Sequence, residues 1–147
     1  MNLKFLKNKK ILFKKIKKKL KFNLKKKKIN FKIISSVQNN KLPFYLNQSK
    51  IFLTTTLYEG NPKSILEALS SETIVISTKF DGSKEIIKNQ INGFLTGYKK
   101  NEINNRVYYC LKNYKKLENL KKNARKSIIK KNDINKIFNL ELRELYR

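Results

Sequence analysis

The sequence predicts an α/β fold: one parallel sheet flanked by helices, with a helical C-terminal segment and a basic N-terminal helix. Three observations carry this. Residues 49–56, Ser-Lys-Ile-Phe-Leu-Thr-Thr-Thr, are an apolar, β-branched run that reads as a buried strand. Thr73-Ile74-Val75-Ile76-Ser77 is a second such run. Between them lies a helical stretch with Ile65, Leu66, Ala68 and Leu69 on its apolar side, opened by Gly60-Asn61-Pro62. Two buried strands joined by a helix form a parallel β-α-β unit.

The other elements follow in order. In the N-terminal segment, Leu12, Ile16, Leu20 and Leu24 recur every four positions among lysines, as on an amphipathic helix. Phe31-Lys32-Ile33-Ile34-Ser35 reads as a strand, and residues 42–47 as a short helix feeding the strand at Ile51. After Ser77, Asp81-Gly82-Ser83-Lys84-Glu85-Ile86-Ile87 is a glycine turn opening a short helix, and Asn92-Gly93-Phe94-Leu95 a turn into an extended piece. Beyond Lys99 the pattern is helical. Ile103, Val107, Cys110, Leu111 and Tyr114 share one face, and Leu117, Leu120, Ala124 and Ile128 another. Asp133 caps a last helix carrying Ile134, Ile137, Phe138, Leu142 and Leu145. The aromatic residues read as packing rather than as stacking platforms, and no internal repeat is present.

The chemistry concentrates in Glu59-Gly60-Asn61-Pro62-Lys63-Ser64-Ile65-Leu66-Glu67. The chain has 10 acidic residues against 36 basic ones, so two carboxylates framing a turn stand out. Asn61 suits a helix cap and Pro62 the first turn. Glu59 then lies in the loop before the helix and Glu67 about one and a half turns into it. Between them are unpaired backbone N–H groups at the positive end of the helix dipole, an anion site. Loops of this kind lie beyond the carboxyl ends of parallel strands, where such sheets bind ligands. A phosphate on the amides, with a carboxylate on each side to accept sugar hydroxyls, makes a nucleotide-sugar site. The bland reading of the pair is two solvated carboxylates.

Residues 42–95 resemble the Rossmann-like C-terminal half of GT-B glycosyltransferases of the retaining family 4 type. The resemblance rests on Glu59-Gly60-x-Pro62 with Glu67-Ala68, on Gly82-x-x-Glu85-Ile86-Ile87, and on Asn92-Gly93-Phe94-Leu95, in that order. The segment from Asn39 through Leu42-Pro43, Tyr45-Leu46-Asn47 and Ser49 also matches. It implies that Glu59 contacts the donor sugar as the catalytic-site carboxylate. It implies that Glu67 binds the ribose hydroxyls, that Gly60, Asn61 and Pro62 shape the turn, and that the amides of Lys63, Ser64 and Ile65 face the diphosphate. Gly82 and Glu85 match a second loop near the donor. The implied reaction transfers a glycosyl group from a nucleotide-diphosphate sugar to a hydroxyl with retention, without a metal or other cofactor. The sequence departs from the pattern at Ser70-Ser71-Glu72, which stands where the family has Ala-x-Gly and puts a side chain at a sharp turn. It also lacks a match to the family's upstream glycine-rich strand end and basic pair; Lys63 and Lys84 are the nearest cations.

At 147 residues there is room for one domain. The expected organisation is a Lys-rich segment at 1–30 and a donor-binding domain at 31–147, incomplete on its N-terminal side. An acceptor-binding N-terminal half or a second chain would complete the cleft. The chain has no histidine, which excludes His-based acid–base or metal chemistry. Cys110, alone among Tyr108, Tyr109 and Leu111, reads as a core thiol, and a single cysteine excludes a disulfide framework. No apolar run reaches membrane-spanning length and no secretory signal is evident, which points to the cytoplasm, with peripheral contact at the inner membrane face. That contact would suit cell-envelope polysaccharide synthesis on lipid-linked acceptors. Net charge is +26, and the first thirty residues hold 14 lysines and no acid. Three readings of this segment stay open: a helix at an anionic membrane, nucleic-acid binding, or a Lys-, Asn- and Ile-rich compositional bias that runs through the whole chain. The alternatives to a transferase half are a truncated, inactive relic or a basic binding protein.

Overall fold

The computed structural model describes residues 29–33, 38–59 and 62–132. The expected basic helix before residue 29, the last helix after Asp133, and the turn residues Gly60 and Asn61 lie outside the described residues.

Three parallel strands, β1 (Ile51–Thr54), β2 (Ile74–Thr78) and β3 (Phe94–Thr96), form a sheet in the order β1-β2-β3. Leu53 pairs with Ile76 and Ile76 with Phe94, so β2 is central among the described strands. A 3-10 turn (Asn39–Lys41) runs into α1 (Leu42–Asn47) ahead of β1. Helix α2 (Lys63–Ser70) connects β1 to β2, and α3 (Asp81–Ile86) connects β2 to β3. Then come α4 (Lys100–Lys112), a 3-10 turn (Tyr114–Leu117) and α5 (Glu118–Asn132). The parallel α/β architecture is the expected one.

β2 shows why both faces of the sheet are covered. Its side chains alternate between faces, and every residue from Ile74 to Thr78 is buried. Ile74 and Ile76 join Phe94, Ile103, Val107, Cys110 and Leu120 in one cluster, so α4 covers that face. Val75 joins Leu46, Ile65, Ala68, Leu69, Ile87 and Ala124 in the other, so α1, α2 and α5 cover the opposite face. A parallel sheet sandwiched in this way needs a near-continuous apolar central strand. Gly93 packs closely here: a Cβ on it would stand 3.2 Å from Ile87 Cγ2 and 3.3 Å from Val75 O, so a larger residue would make these neighbours shift by a few tenths of an ångström.

Two strand expectations need correction. The run at 49–56 gives a strand only over Ile51–Thr54, and its residues are half-buried, not buried. The strand expected from Phe31 does not form over residues 29–33: Ile29 and Phe31 pack against the first cluster, but no strand is present there. The same apolar residues that suit a strand can serve as a packed extended segment, and periodicity cannot separate the two.

The C-terminus of α2 is a Schellman closure. Thr73 N–H donates to Ala68 O at 3.1 Å and Glu72 N–H to Leu69 O at 3.2 Å. Glu72 sits at φ 57, in the left-handed region where the family pattern has glycine. Its carboxylate reaches Arg125 Nε of α5 only at 4.0 Å, an exposed pair of small worth. A left-handed residue with a Cβ costs about 1–2 kcal/mol, and added glycine freedom in the unfolded chain offsets about half of that. Glu72→Gly is therefore expected to raise stability by roughly 0.5–1 kcal/mol. Urea denaturation of both forms tests this, and a lower midpoint for the variant would contradict it.

Cys110 is fully buried on α4, as expected for a core thiol. Burial pushes its pKa from about 9 up to about 12, against a smaller lowering by Arg106. The folded value lies above the unfolded one, so the thiol's contribution to stability is fully present below about pH 9 and is lost as pH rises towards about 12. The thiolate is the reactive form, so Cys110 is expected to resist a disulfide reagent at pH 8 until denaturant is added. Immediate labelling of the native chain would refute the placement.

Candidate functional site

The carboxyl ends of all three strands lie on one edge, because the strands are parallel. That edge is lined with hydroxyls. Thr54 and Thr56 share a hydrogen bond at 3.2 Å between their Oγ1 atoms. Thr78 Oγ1 donates to Thr56 O, tying the chain beyond β1 to the end of β2. Ser83 Oγ accepts from Phe80 N–H at 3.0 Å and shares its one proton between Phe80 O at 2.7 Å and Thr78 O at 3.0 Å, which holds the start of α3 to the same edge. Small hydroxyl side chains suit this position. They satisfy backbone groups that have left the ladder without filling the space a ligand would occupy.

Glu59 lies in the loop between β1 and α2 and is half-buried. Glu67 lies on α2, also half-buried, in the second turn of a helix that begins at Lys63. Neither carboxylate has a hydrogen bond or ion pair among the described residues. The structure thus puts Glu59 in the loop that leaves β1 and Glu67 in the second turn of α2. The cap differs from expectation: Pro62, not Asn61, occupies the N-cap position, at φ −80 and ψ 70, and among the described residues no side chain caps the helix. Pro62 is fully buried. Its carbonyl accepts from Ile65 N–H at 2.9 Å and Leu66 N–H at 3.3 Å. The Ile65 amide is thereby engaged, and Ile65 is a core side chain. Lys63 and Ser64 are left as the first-turn N–H groups without a helical acceptor.

In the second loop Gly82 is buried within the first turn of α3 rather than in a turn before it, and Glu85 is exposed. Lys84 Nζ is paired with Asp81 Oδ1 at 3.0 Å on the surface of α3, so its charge is partly committed. Tyr98, after β3, donates its hydroxyl to Lys79 O. Its pKa is raised by burial; Lys84 opposes that and Asp81 adds to it. Sequence reasoning missed Ser83, Lys79 and the threonine ledge. The run Thr54-Thr55-Thr56 at a strand's end was a signal available for the last of these.

The family model described as Glycosyl transferases group 1 matches residues 13–127. The chain belongs to that family. Among curated relatives of this group 1 chain, the Escherichia coli UDP-Gal:alpha-D-GlcNAc-diphosphoundecaprenol alpha-1,3-galactosyltransferase is 38% identical over 56 residues, 38% of this chain and 14% of the relative. Sucrose synthase of Melioribacter roseus is 46% identical over 44 residues, 30% of this chain and 6% of that enzyme. Among solved structures, Anabaena HepE in complex with UDP-glucose superposes with TM-score 0.69 at 20% identity, over 88% of this chain and 36% of HepE. The C-terminal domain of the group 1 protein LpcC of Francisella tularensis gives 0.62 at 24% identity, over 80% of this chain and 62% of that domain. At such identities the superpositions show the fold, a GT-B Rossmann-like domain. The chain spans a small part of the curated relatives it matches. Among the described residues no helix is long and apolar enough to cross a membrane.

Proposed function

We propose that this group 1 chain is the donor-binding, C-terminal half of a retaining, family 4 type GT-B transferase that uses a nucleotide-diphosphate sugar. The observation that carries the proposal is that Glu59 lies in the loop before α2 and Glu67 in its second turn, neither with a partner among the described residues. Glu67 accepts the ribose hydroxyls, Glu59 accepts donor-sugar hydroxyls, and the Lys63 and Ser64 amides receive phosphate oxygens. Gly60, Asn61, Pro62 and Ile65 shape this turn, and Gly82 and Glu85 line the second loop. Residues 31–147 form the donor domain and 1–30 a basic segment. UDP is the first nucleotide to test, since UDP stands in the descriptions of both the E. coli relative and HepE.

Transfer needs an acceptor-binding half, on a longer polypeptide or on a second chain. Holding the leaving diphosphate against amides and a cation is then the main catalytic contribution of this domain. Cell-envelope polysaccharide synthesis in the cytoplasm, with peripheral contact at an anionic membrane, fits the basic segment and the lipid-linked substrate in the E. coli relative's name.

Calorimetric titration of the chain with UDP, GDP and their sugars at moderate salt tests the proposal. Saturable binding that favours one nucleotide is expected. Weak binding equal for all polyanions and collapsing with added salt would instead mark a basic binding protein in which the site is a relic.

A further inference from the structure

The α2 N-terminus offers only two free amides and a partial dipole charge of roughly +0.5. A diphosphate is a multiply charged anion, and such sites add a side-chain cation. Glu59 and Glu67 on the same segment make that need greater. The described lysines at the carboxyl edge are Lys63 on α2, Lys79 after β2, Lys84 on α3, and Lys99 with Lys100 after β3. Lys84 is paired with Asp81 at 3.0 Å. Lys99 and Lys100 follow β3, which β2 separates from β1. Lys63 and Lys79 remain.

Lys79 is the better anchored of the two. Its N–H donates to Thr96 O at 3.0 Å, and its carbonyl accepts from the Tyr98 hydroxyl. The backbone is therefore held from the β3 side through both polar groups. The residue before it, Thr78, is tied to Thr56 by its hydroxyl. The β1–β2 ladder ends at the Thr54↔Ser77 pair, two residues before Lys79, and the Thr78 bond to Thr56 holds the two chains together beyond it, three residues before Glu59. Its side chain is exposed and has no partner among the described residues. An ammonium on a fixed backbone root, with no competing carboxylate, needs no existing pair to break when it meets an anion.

We infer that Lys79 is the phosphate-contacting cation of this site, binding the diphosphate of the nucleotide together with the α2 amides. This deepens the donor-site reading and rests on it. Lys79 follows β2, whereas the family's basic pair lies upstream in the sequence.

The test is UDP titration of the full 147-residue chain and of Lys79→Ala, Lys79→Arg, Lys84→Ala and Glu67→Ala. The expected result is a roughly tenfold weaker Kd for Lys79→Ala, near-complete recovery in Lys79→Arg, and less than a twofold change for Lys84→Ala. Unchanged UDP affinity in Lys79→Ala, with Glu67→Ala still impaired, would overturn the Lys79 assignment and leave the donor site standing. Absence of saturable UDP binding in the unaltered chain would overturn both. Lys79 is exposed, so the substitutions leave the core untouched. Matching urea midpoints would verify this.

Discussion

Glu67→Ala is expected to weaken UDP binding about 100-fold while leaving the fold intact. A carboxylate accepting two ribose hydroxyls makes charge-assisted hydrogen bonds worth roughly 1.5–3 kcal/mol each, and truncation leaves the hydroxyls unpaired in the complex. A net loss of about 3 kcal/mol corresponds to that factor. The free protein loses little. The Glu67 carboxylate has no partner among the described residues to strand, and the carbonyl that anchors Ser70 Oγ and Ser71 Oγ, each at 2.9 Å, belongs to the backbone and is retained. Alanine also has the highest helix propensity. Glu59→Ala should behave differently. If Glu59 contacts the sugar, it should weaken UDP-sugar binding while leaving UDP alone nearly unchanged. Calorimetry on the two variants with UDP and UDP-glucose separates these roles. Equal affinity of Glu67→Ala and the unaltered chain for UDP would remove the nucleotide site from consideration.

The second large effect concerns stability. Asn92→Ala is expected to cost roughly 2–3 kcal/mol of unfolding free energy. Asn92 is buried, and its side chain joins three segments. Oδ1 accepts from Lys88 N–H at 2.8 Å, and Nδ2 donates to Ile86 O at 3.1 Å and to Ser127 Oγ of α5 at 3.0 Å. Alanine leaves the amide of exposed Lys88 and the carbonyl of half-buried Ile86 without these partners, at about 1 kcal/mol each. It also removes the link between the α3–β3 turn and α5. Ser127→Ala removes that link together with the Ser127 Oγ bond to Ala124 O in its own helix, and leaves the Lys88 and Ile86 bonds of Asn92 in place. It should cost about 1 kcal/mol or less. Urea denaturation of the two single variants and the double variant reads the coupling directly. Additive losses would mean that the Asn92–Ser127 bond contributes nothing of its own.

Much of the fold was legible because it is written in local pattern. The β-branched runs at Ile51 and Ile74, the helix over 42–47, and the 3.6-residue spacing of Ile103, Val107 and Cys110 depend on a few residues at a time. Asn92-Gly93 was legible as a turn, but its larger role was not. The Asn92 bond to Ser127 spans 35 residues, and no local signal announces a partner that distant. The strand expected from Phe31 does not form over the described residues 31–33, the rest of it lying outside the described residues, for a related reason. Strand formation requires a neighbour to pair with, and propensity alone does not supply one.

The candidate site divides in the same way. The two glutamates, their spacing around a proline turn and the helix that follows are legible locally, because helix periods are short-range facts. The folded chain, not the local pattern, puts Pro62 at the N-cap and engages the Ile65 amide with its carbonyl. Only the tertiary structure placed Glu72 in a left-handed turn, paired Lys84 with Asp81, and fixed Lys79 between Thr96 O and the Tyr98 hydroxyl. The physical reason is that a cation's availability depends on what else stands within hydrogen-bonding reach, and at this edge those neighbours come from three strands brought side by side by the buried β2 core.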